Sequence, residues 1–224
     1  MQLNLQLLIN IYNEVLVMKK NKISYIANAR LPTEKAHGYQ IMRVCSELSQ
    51  QGASVTLYIP CRDNTIQEDA FTYYGIENNF SIVEVPSFNF MRFSHIHGPS
   101  ASLLHGLFFT WKLLLGKYIS GDEVVFSRDA DVLWWFGLFQ YKTIYNAHKW
   151  TKRSRLRKFF LKNVQGVVCN SEGTKRVIEK NISAQAIVID NATDSNLYIG
   201  TPKRVLRQEL SLPIDKSIVL YTGH

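Results

Sequence analysis

Three short stretches each set a charged or imidazole side chain just beyond an apolar run. Lys35-Ala36-His37-Gly38 closes the polar loop that follows Ile23–Ala27, Arg128 follows Val125–Ser127, and His148 follows Tyr145–Ala147. If the three runs are neighbouring strands, these groups converge on one rim. Gly38 would then let a ligand approach the backbone, and the N–H groups opening the next helix would face a phosphate. Arg128 can fork onto phosphate or sugar oxygens, and Lys35 and His37 add donors beside it. His148 can hydrogen-bond a hydroxyl close to a reacting carbon. Each position also has a plainer reading: a structural histidine, an Arg128-Asp129 ion pair, and a glycine that only serves a turn. Asp129-Ala130-Asp131 has the spacing of a metal-binding carboxylate pair. The stronger reading is that one of the two caps the helix Val132–Phe139, so no metal site is expected.

The elements that must position these groups alternate along the chain. Ile23–Ala27 reads as a strand, and Ile41, Val44, Cys45 and Leu48 form one buried helix face at i, i+3, i+4, i+7. Gly52 stands where a helix ends in positive φ, and Val55, Leu57 and Ile59 alternate as a strand does. Strand, helix, strand is a βαβ unit, whose ligand site lies beyond the strand C-termini, here at Asn28–Tyr39. Further strands are expected at Phe80–Val85, Glu123–Ser127, Thr143–Ala147, Gly166–Cys169 and Ala186–Ile189. Helices are expected at Pro99–Ile119, Val132–Phe139 and Thr174–Lys180, with a short helix and turn over Thr201–Pro213. The class is α/β: a Rossmann-like, mainly parallel sheet with helices on both faces. Residues 22–214 make up this domain, 1–21 an N-terminal extension, and 215–224 the first strand of another domain, because apolar Ser217–Thr222 needs a sheet neighbour. The first loop has no G-x-G-x-x-G, so a dinucleotide-binding reading fails.

The net charge of +8 is concentrated. Lys149, Lys152, Arg153, Arg155, Arg157, Lys158 and Lys162 lie in 149–162 without an acid, and no Asp or Glu occurs between Val85 and Gly121. With Trp150, Leu156, Phe159, Phe160 and Val164 facing inward, the cations form an outward patch suited to an anionic membrane surface. The helix Pro99–Ile119 carries Leu103, Leu104, Leu107, Phe108, Trp111, Leu114 and Leu115 on a wide face, which serves either core packing or contact with lipid head groups. No recognised nucleic-acid motif accompanies the basic run, and nucleic acid is not expected as a partner. Cys45, Cys61 and Cys169 show no C-x-x-C spacing and read as thiols. The first 17 residues lack a basic start and a cleavage site, so they are not a secretion signal; Met18-Lys19-Lys20 resembles a translation start. No apolar stretch is long enough to span a bilayer.

As an ordered set, ARLPTEKAHGYQIMRVCSELSQQGASVTLYIP, VVFSRD, YNAHKW, VVCNSEG and IVLYTGH resemble the N-terminal half of glycosyltransferase family 4, from about Lys22 to His224. The resemblance implies the GT-B fold, two Rossmann-like lobes around a cleft. It implies a retaining transfer of a sugar from a nucleotide-sugar donor to a polysaccharide or lipid-linked acceptor, without a metal or other cofactor. It also implies a cytoplasmic location, peripheral at the inner membrane face. In such enzymes the N-terminal lobe mainly holds the acceptor, the position of Gly38 approaches the donor diphosphate, and that of His148 lies near the transferred sugar. Many relatives have Glu two residues before this histidine, where Asn146 stands here. The donor-binding lobe is expected beyond residue 224, so little activity is expected from this chain alone. The alternative is a non-catalytic α/β module for a phosphorylated or anionic ligand.

Overall fold

The computed structural model describes residues 22–87, 98–148, 150, 154–190 and 202–219. The expected extension at 1–21, Lys149, Lys152, Arg153 and residues 220–224 lie outside these. The chain divides into two units, residues 1–190 and 191–224.

The first unit runs β1 (Lys22–Ile26), α1 (Ala36–Gln50), β2 (Ser54–Pro60), α2 (Ala70–Tyr74), β3 (Ser81–Val85), α3 (Gly98–Leu115) and β4 (Val124–Ser127). It continues with α4 (Ala130–Leu138), β5 (Lys142–Ala147), α5 (Ser154–Phe160), β6 (Gly166–Cys169), α6 (Glu172–Glu179) and β7 (Gln185–Val188). The seven strands form one sheet in the order β3-β2-β1-β4-β5-β6-β7. Every neighbouring pair is parallel. The chain winds outward from β1 in one direction, returns, and winds outward in the other. The order therefore reverses between β1 and β4, and a crevice opens at their C-terminal ends.

Both sheet faces are buried, and the strand sequences show why. In β1 Ile23 and Tyr25 face one core and Ile26 the other; in β4 Val124 and Phe126 face the first and Val125 the second. Strands apolar on both faces are the mark of a sheet covered on both sides by helices. Ile41 and Cys45 of α1 cover the first face, as the helical spacing predicts, with Met42 beside them and Val44 and Leu48 partly buried against it. Phe109 and Leu113 of α3, with Val132, Leu133 and Phe136 of α4, cover the second. Each such side chain contributes roughly 1.5–3 kcal/mol on burial. Cys45 and Cys169 are buried and Cys61 is exposed, all as free thiols.

Local signals set the helix ends. Gly52 takes φ 91 just after α1, a conformation that glycine adopts without strain. Asp69 caps α2 by accepting from the N–H groups of Phe71 and Thr72, and Ser171 caps α6 by accepting from Thr174 N–H.

The basic segment departs from expectation in two ways. Leu156 and Phe159 do not face inward: they are 50% and 47% exposed, and Leu161 and Val164 fill the core below them. The reason is that α5 rests on another helix, with Phe159 and Phe160 against the ring of Trp134 in α4 at 5.4 and 5.8 Å. The cations of this segment are also divided, since Arg157 turns into a cavity at the sheet end while Arg155, Lys158 and Lys162 are exposed. In the second unit, α7 (Lys203–Glu209) is the helix expected near Thr201–Pro213. Residues 217–219, the described part of the expected last strand, have no regular structure. Among the described residues no helix is long and apolar enough to cross a membrane.

Candidate functional site

Register dictates what meets at the sheet end. Ile26 pairs with Ser127 and Ser127 with Tyr145. The residues after them, Ala27-Asn28-Ala29, Arg128-Asp129 and Asn146 to His148, therefore stand side by side over the β1–β4 switch point. They line a cavity of about 300 Å³, joined by His37 of α1 and Arg157 of α5. His37, Arg128 and His148 thus converge as expected.

The floor of this cavity is held by side chains that bind the ends of β1 and β4. The Ser127 hydroxyl donates to the Ile26 carbonyl at 2.7 Å and accepts from the Asp129 N–H at 3.0 Å. Asp129 occupies the cap position of α4 but makes no capping hydrogen bond. Its Oδ2 instead accepts from the Asn28 N–H at 2.9 Å. Asp131 carries the acidic charge of the first helical turn, with its carboxyl accepting from N–H groups there. Asn146, two residues before His148, donates to the Tyr25 hydroxyl at 3.5 Å.

Electrostatics fix the protonation states. Burial and then the nearby Arg128 push the His148 imidazole down to about 4, and the same two causes lower His37. Near neutral pH both rings are uncharged, able to donate at one nitrogen and accept at the other. Asp129 is pushed above the ordinary carboxylate range by burial, opposed by the Asn28 hydrogen bond and by Arg128. The cavity therefore presents two guanidiniums and two neutral imidazoles around one partly offset carboxyl.

Gly38 and Lys35 sit elsewhere. A Cβ on Gly38 would lie 2.1 Å from the Tyr74 hydroxyl oxygen and 2.6 Å from Thr33 Cγ2. The close approach that this glycine permits is by Tyr74, whose hydroxyl accepts from Thr33 N–H at 2.7 Å and donates to the Thr33 carbonyl at 2.8 Å. Lys35 is exposed at the start of α1 and does not line the cavity.

Behind the floor lies a polar group that sequence patterns did not reveal. Arg62, from the loop after β2, donates to Asn28 Oδ1 and, at 2.7 Å, to His105 Nε2 of α3. A Cβ at Gly106 would be 2.9 Å from both Asn28 Nδ2 and Asp131 Oδ2, so glycine lets α3 close on this group. Burial, and then the charge of Asp129, push the Asp131 carboxyl up to about 6. Among the described residues no three His, Cys, Asp or Glu side chains are grouped to hold a metal ion.

No protein-family model matches the sequence, and no curated protein matches it. Solved structures do. A UDP-glucosyltransferase from Polygonum tinctorium, described as capable of glucosylating indoxyl and solved in complex with 3,4-dichloroaniline, superposes with a TM-score of 0.57. The chain is similar to it in fold. The identity is 9%, over 88% of this chain and 58% of the glucosyltransferase, so this chain spans little more than half the length of that enzyme. A protein described as a UDP-N-acetylglucosamine 2-epimerase from Listeria monocytogenes aligns over 74% of this chain and 45% of its own. Its identity is 11% and its TM-score 0.47.

Proposed function

We propose that this chain is the acceptor-side, N-terminal lobe of a retaining GT-B glycosyltransferase of the family 4 type. It would use a nucleotide-sugar donor and a glycan or lipid-linked acceptor, act without a metal, and sit peripherally at the cytoplasmic membrane face. The observation that carries the reading is the convergence of Arg128, Arg157, His37 and His148 on the cavity at the β1–β4 switch point. The likeness in fold to a UDP-glucosyltransferase supports it at the level of architecture.

The roles follow from the chemistry of each group. Arg128 and Arg157 hold oxygens that carry charge both before and after reaction, such as phosphate or an acidic acceptor. His148, uncharged because burial and Arg128 depress its basicity, hydrogen-bonds a sugar hydroxyl as the ring gains oxocarbenium character. Asp129 positions the Asn28 loop, and Gln40 of α1 accepts from Arg128 at 3.4 Å. Lys35, exposed beside His37, stands on the side from which a donor diphosphate would enter, whereas Gly38 is buried against Tyr74 and Thr33. The second lobe would supply most of the nucleotide contacts, and an enzyme gains rate by binding the transition state across both.

The deciding experiment is a transfer assay on the intact gene product with a panel of nucleotide sugars and membrane-derived acceptors. Release of nucleoside diphosphate, with a product that keeps the donor's anomeric configuration, is the expected result. The second reading, a non-catalytic module for an anionic ligand, is favoured by the two arginines of the cavity. It wins if no nucleotide sugar is turned over while this chain still binds phosphorylated sugars in an Arg128-dependent way.

A further inference from the structure

The outward face formed by α3, α4 and α5 is apolar where a solvated helix face would be polar. On α3, Leu104, Phe108, Trp111 and Leu115 are 36%, 51%, 50% and 72% exposed. Their spacing of four, three and four is one helical stripe. The opposite face of the same helix carries the buried Phe109 and Leu113, so the stripe is surplus to the core. An ordinary surface helix shows charged residues there.

The stripe is joined to two more helices by an aromatic ladder, in which Trp134 and Trp135 are only partly exposed. Trp111 meets Trp135 of α4 at 5.9 Å, Trp135 meets Trp134 at 4.8 Å, and Trp134 meets Phe159 of α5 at 5.4 Å. The exposed Leu138 and Leu156 extend it at its sides. A contiguous apolar surface of this kind marks a site of contact with a protein or a membrane.

Charge selects between them. Lys112, Lys158 and Lys162 are exposed on these helices or just after them, and Lys162 Nζ lies 5.1 Å from the centre of the Phe159 ring. The three helices contain a single acid, Asp131, and it belongs to the polar group behind the cavity. A protein partner would have to be acidic here, since complementary interfaces set a positive patch against a negative one. Aromatic rings with cations and no exposed acid fit the head-group region of an anionic bilayer, where indoles rest at the interface and lysines reach lipid phosphates.

We infer that the α3–α4–α5 face, with the Trp111–Trp135–Trp134–Phe159 ladder at its centre, docks onto the surface of an anionic phospholipid bilayer. The inference rests on the peripheral attachment proposed above and assigns it to a surface separate from the catalytic cavity. It also separates the cations of the basic segment: Lys158 and Lys162 reach lipid phosphates and Arg157 serves the cavity.

The test uses the intact chain with vesicles of phosphatidylcholine alone or mixed with phosphatidylglycerol. Trp111, Trp134 and Trp135, three of the four tryptophans of the chain, lie on α3 and α4, so their emission reports this face, while Trp150 packs against the core and Arg157. Expected are sedimentation with the mixed vesicles, a blue shift, and quenching by brominated acyl chains. Phe108→Ser with Leu115→Ser should lower the partition constant by at least about tenfold. Lys158→Ser with Lys162→Ser should lower it by more than tenfold, since each cation near an anionic surface is worth about fivefold. Leu115→Ser alone, at the most exposed of these positions, guards against a folding defect in the double variant. The inference is overturned if the chain ignores mixed vesicles, or if it binds them without quenching. It is also overturned if the chain is a dimer that Trp111→Ser dissociates, because the face would then be a contact between copies. Sugar transfer is measured separately, and its absence would overturn the reading of the cavity while leaving vesicle binding to stand or fall by itself.

Discussion

Asp129 Oδ2 accepts a hydrogen bond from the Asn28 backbone N–H at 2.9 Å, joining the loops that leave β4 and β1 across the point where the strand order reverses. The same carboxyl lies beside Arg128 and is raised in pKa by burial. It is therefore a structural tie made with a group that is costly to ionise there. Asp129→Ala should destabilise the fold by about 1–3 kcal/mol, because the N–H of Asn28 loses its acceptor. Asp129→Asn keeps an acceptor oxygen and removes the buried charge, and it should come within about 1 kcal/mol of wild type. Urea denaturation of the two variants decides the matter. An alanine variant as stable as the asparagine one would mean that the tie contributes nothing.

Two groups should give opposite pH dependence of stability. Asp131 is raised from 3.8 to about 6 in the folded state. Between these values the folded protein holds a proton that the unfolded chain has lost, so stability falls as pH rises through that window. His148 is lowered from 6.5 to about 4. There the unfolded chain holds the extra proton, so stability rises with pH over nearly the same range. The two slopes largely cancel in the wild type. Asp131→Asn removes the falling arm, and its stability relative to wild type should grow between about pH 4 and 6, by up to about 3 kcal/mol. A pH series of denaturation midpoints measures this, and parallel curves for the two proteins would show that Asp131 is not raised.

Gly38 gives a packing prediction. The Tyr74 hydroxyl grips both the N–H and the carbonyl of Thr33, and it occupies the space that a Cβ at position 38 would need. Gly38→Ala must push that phenol aside and should cost about 1–3 kcal/mol. Tyr74→Phe loses both hydrogen bonds and should cost a similar amount. Because both changes break one contact, the double variant should be much less than additive. Simple additivity in thermal unfolding would show that Gly38 and Tyr74 act independently.

Much of this architecture is legible in the sequence because the strands are short apolar runs bounded by turn residues. Val55, Leu57 and Ile59 alternate, Ile41 and Cys45 share a helix face, and such periods survive any tertiary context that buries them. Convergence of Arg128 and His148 is legible for the same reason, since strand ends in a parallel sheet share one rim. Other features carry no periodic signal. Arg62 stands in an irregular loop, and its partner His105 looks like an isolated polar residue in an apolar helix; only the fold brings them to Asn28. Leu104, Phe108, Trp111 and Leu115 have the same composition as a core stripe, so hydrophobicity alone could not say which side of α3 faces the sheet. Arg157 is indistinguishable from its neighbours by type, and its place in the cavity follows from α5 resting on Trp134 and Trp150. Its guanidinium carbon lies 5.9 Å from the centre of the Trp150 ring.

The last prediction takes the proposed sugar transfer as the reaction and concerns His148. The ring stands one residue beyond β5, an inner strand flanked by β4 and β6, so its backbone is fixed by the sheet. It lines the cavity with Arg128, and that neighbour together with burial holds it uncharged. A neutral ring can make a hydrogen bond that strengthens only as the sugar gains oxocarbenium character. An interaction of that kind lowers kcat when removed and leaves KM nearly unchanged. His148→Ala should therefore keep the fold and lose about 100- to 1,000-fold in kcat, the cost of removing a preorganised donor. Arg128→Gln and Arg157→Gln should act mainly on KM, because in the proposed transfer the oxygens they would hold are charged throughout. The pH profile supplies an independent check: with His148 of the free protein pushed down to about 4, kcat/KM should show no limb from this histidine between about pH 5 and 7. Steady-state kinetics on the three variants separates the roles, and a His148→Ala enzyme that retains more than about a tenth of wild-type kcat would make this histidine a structural residue of the β5 end.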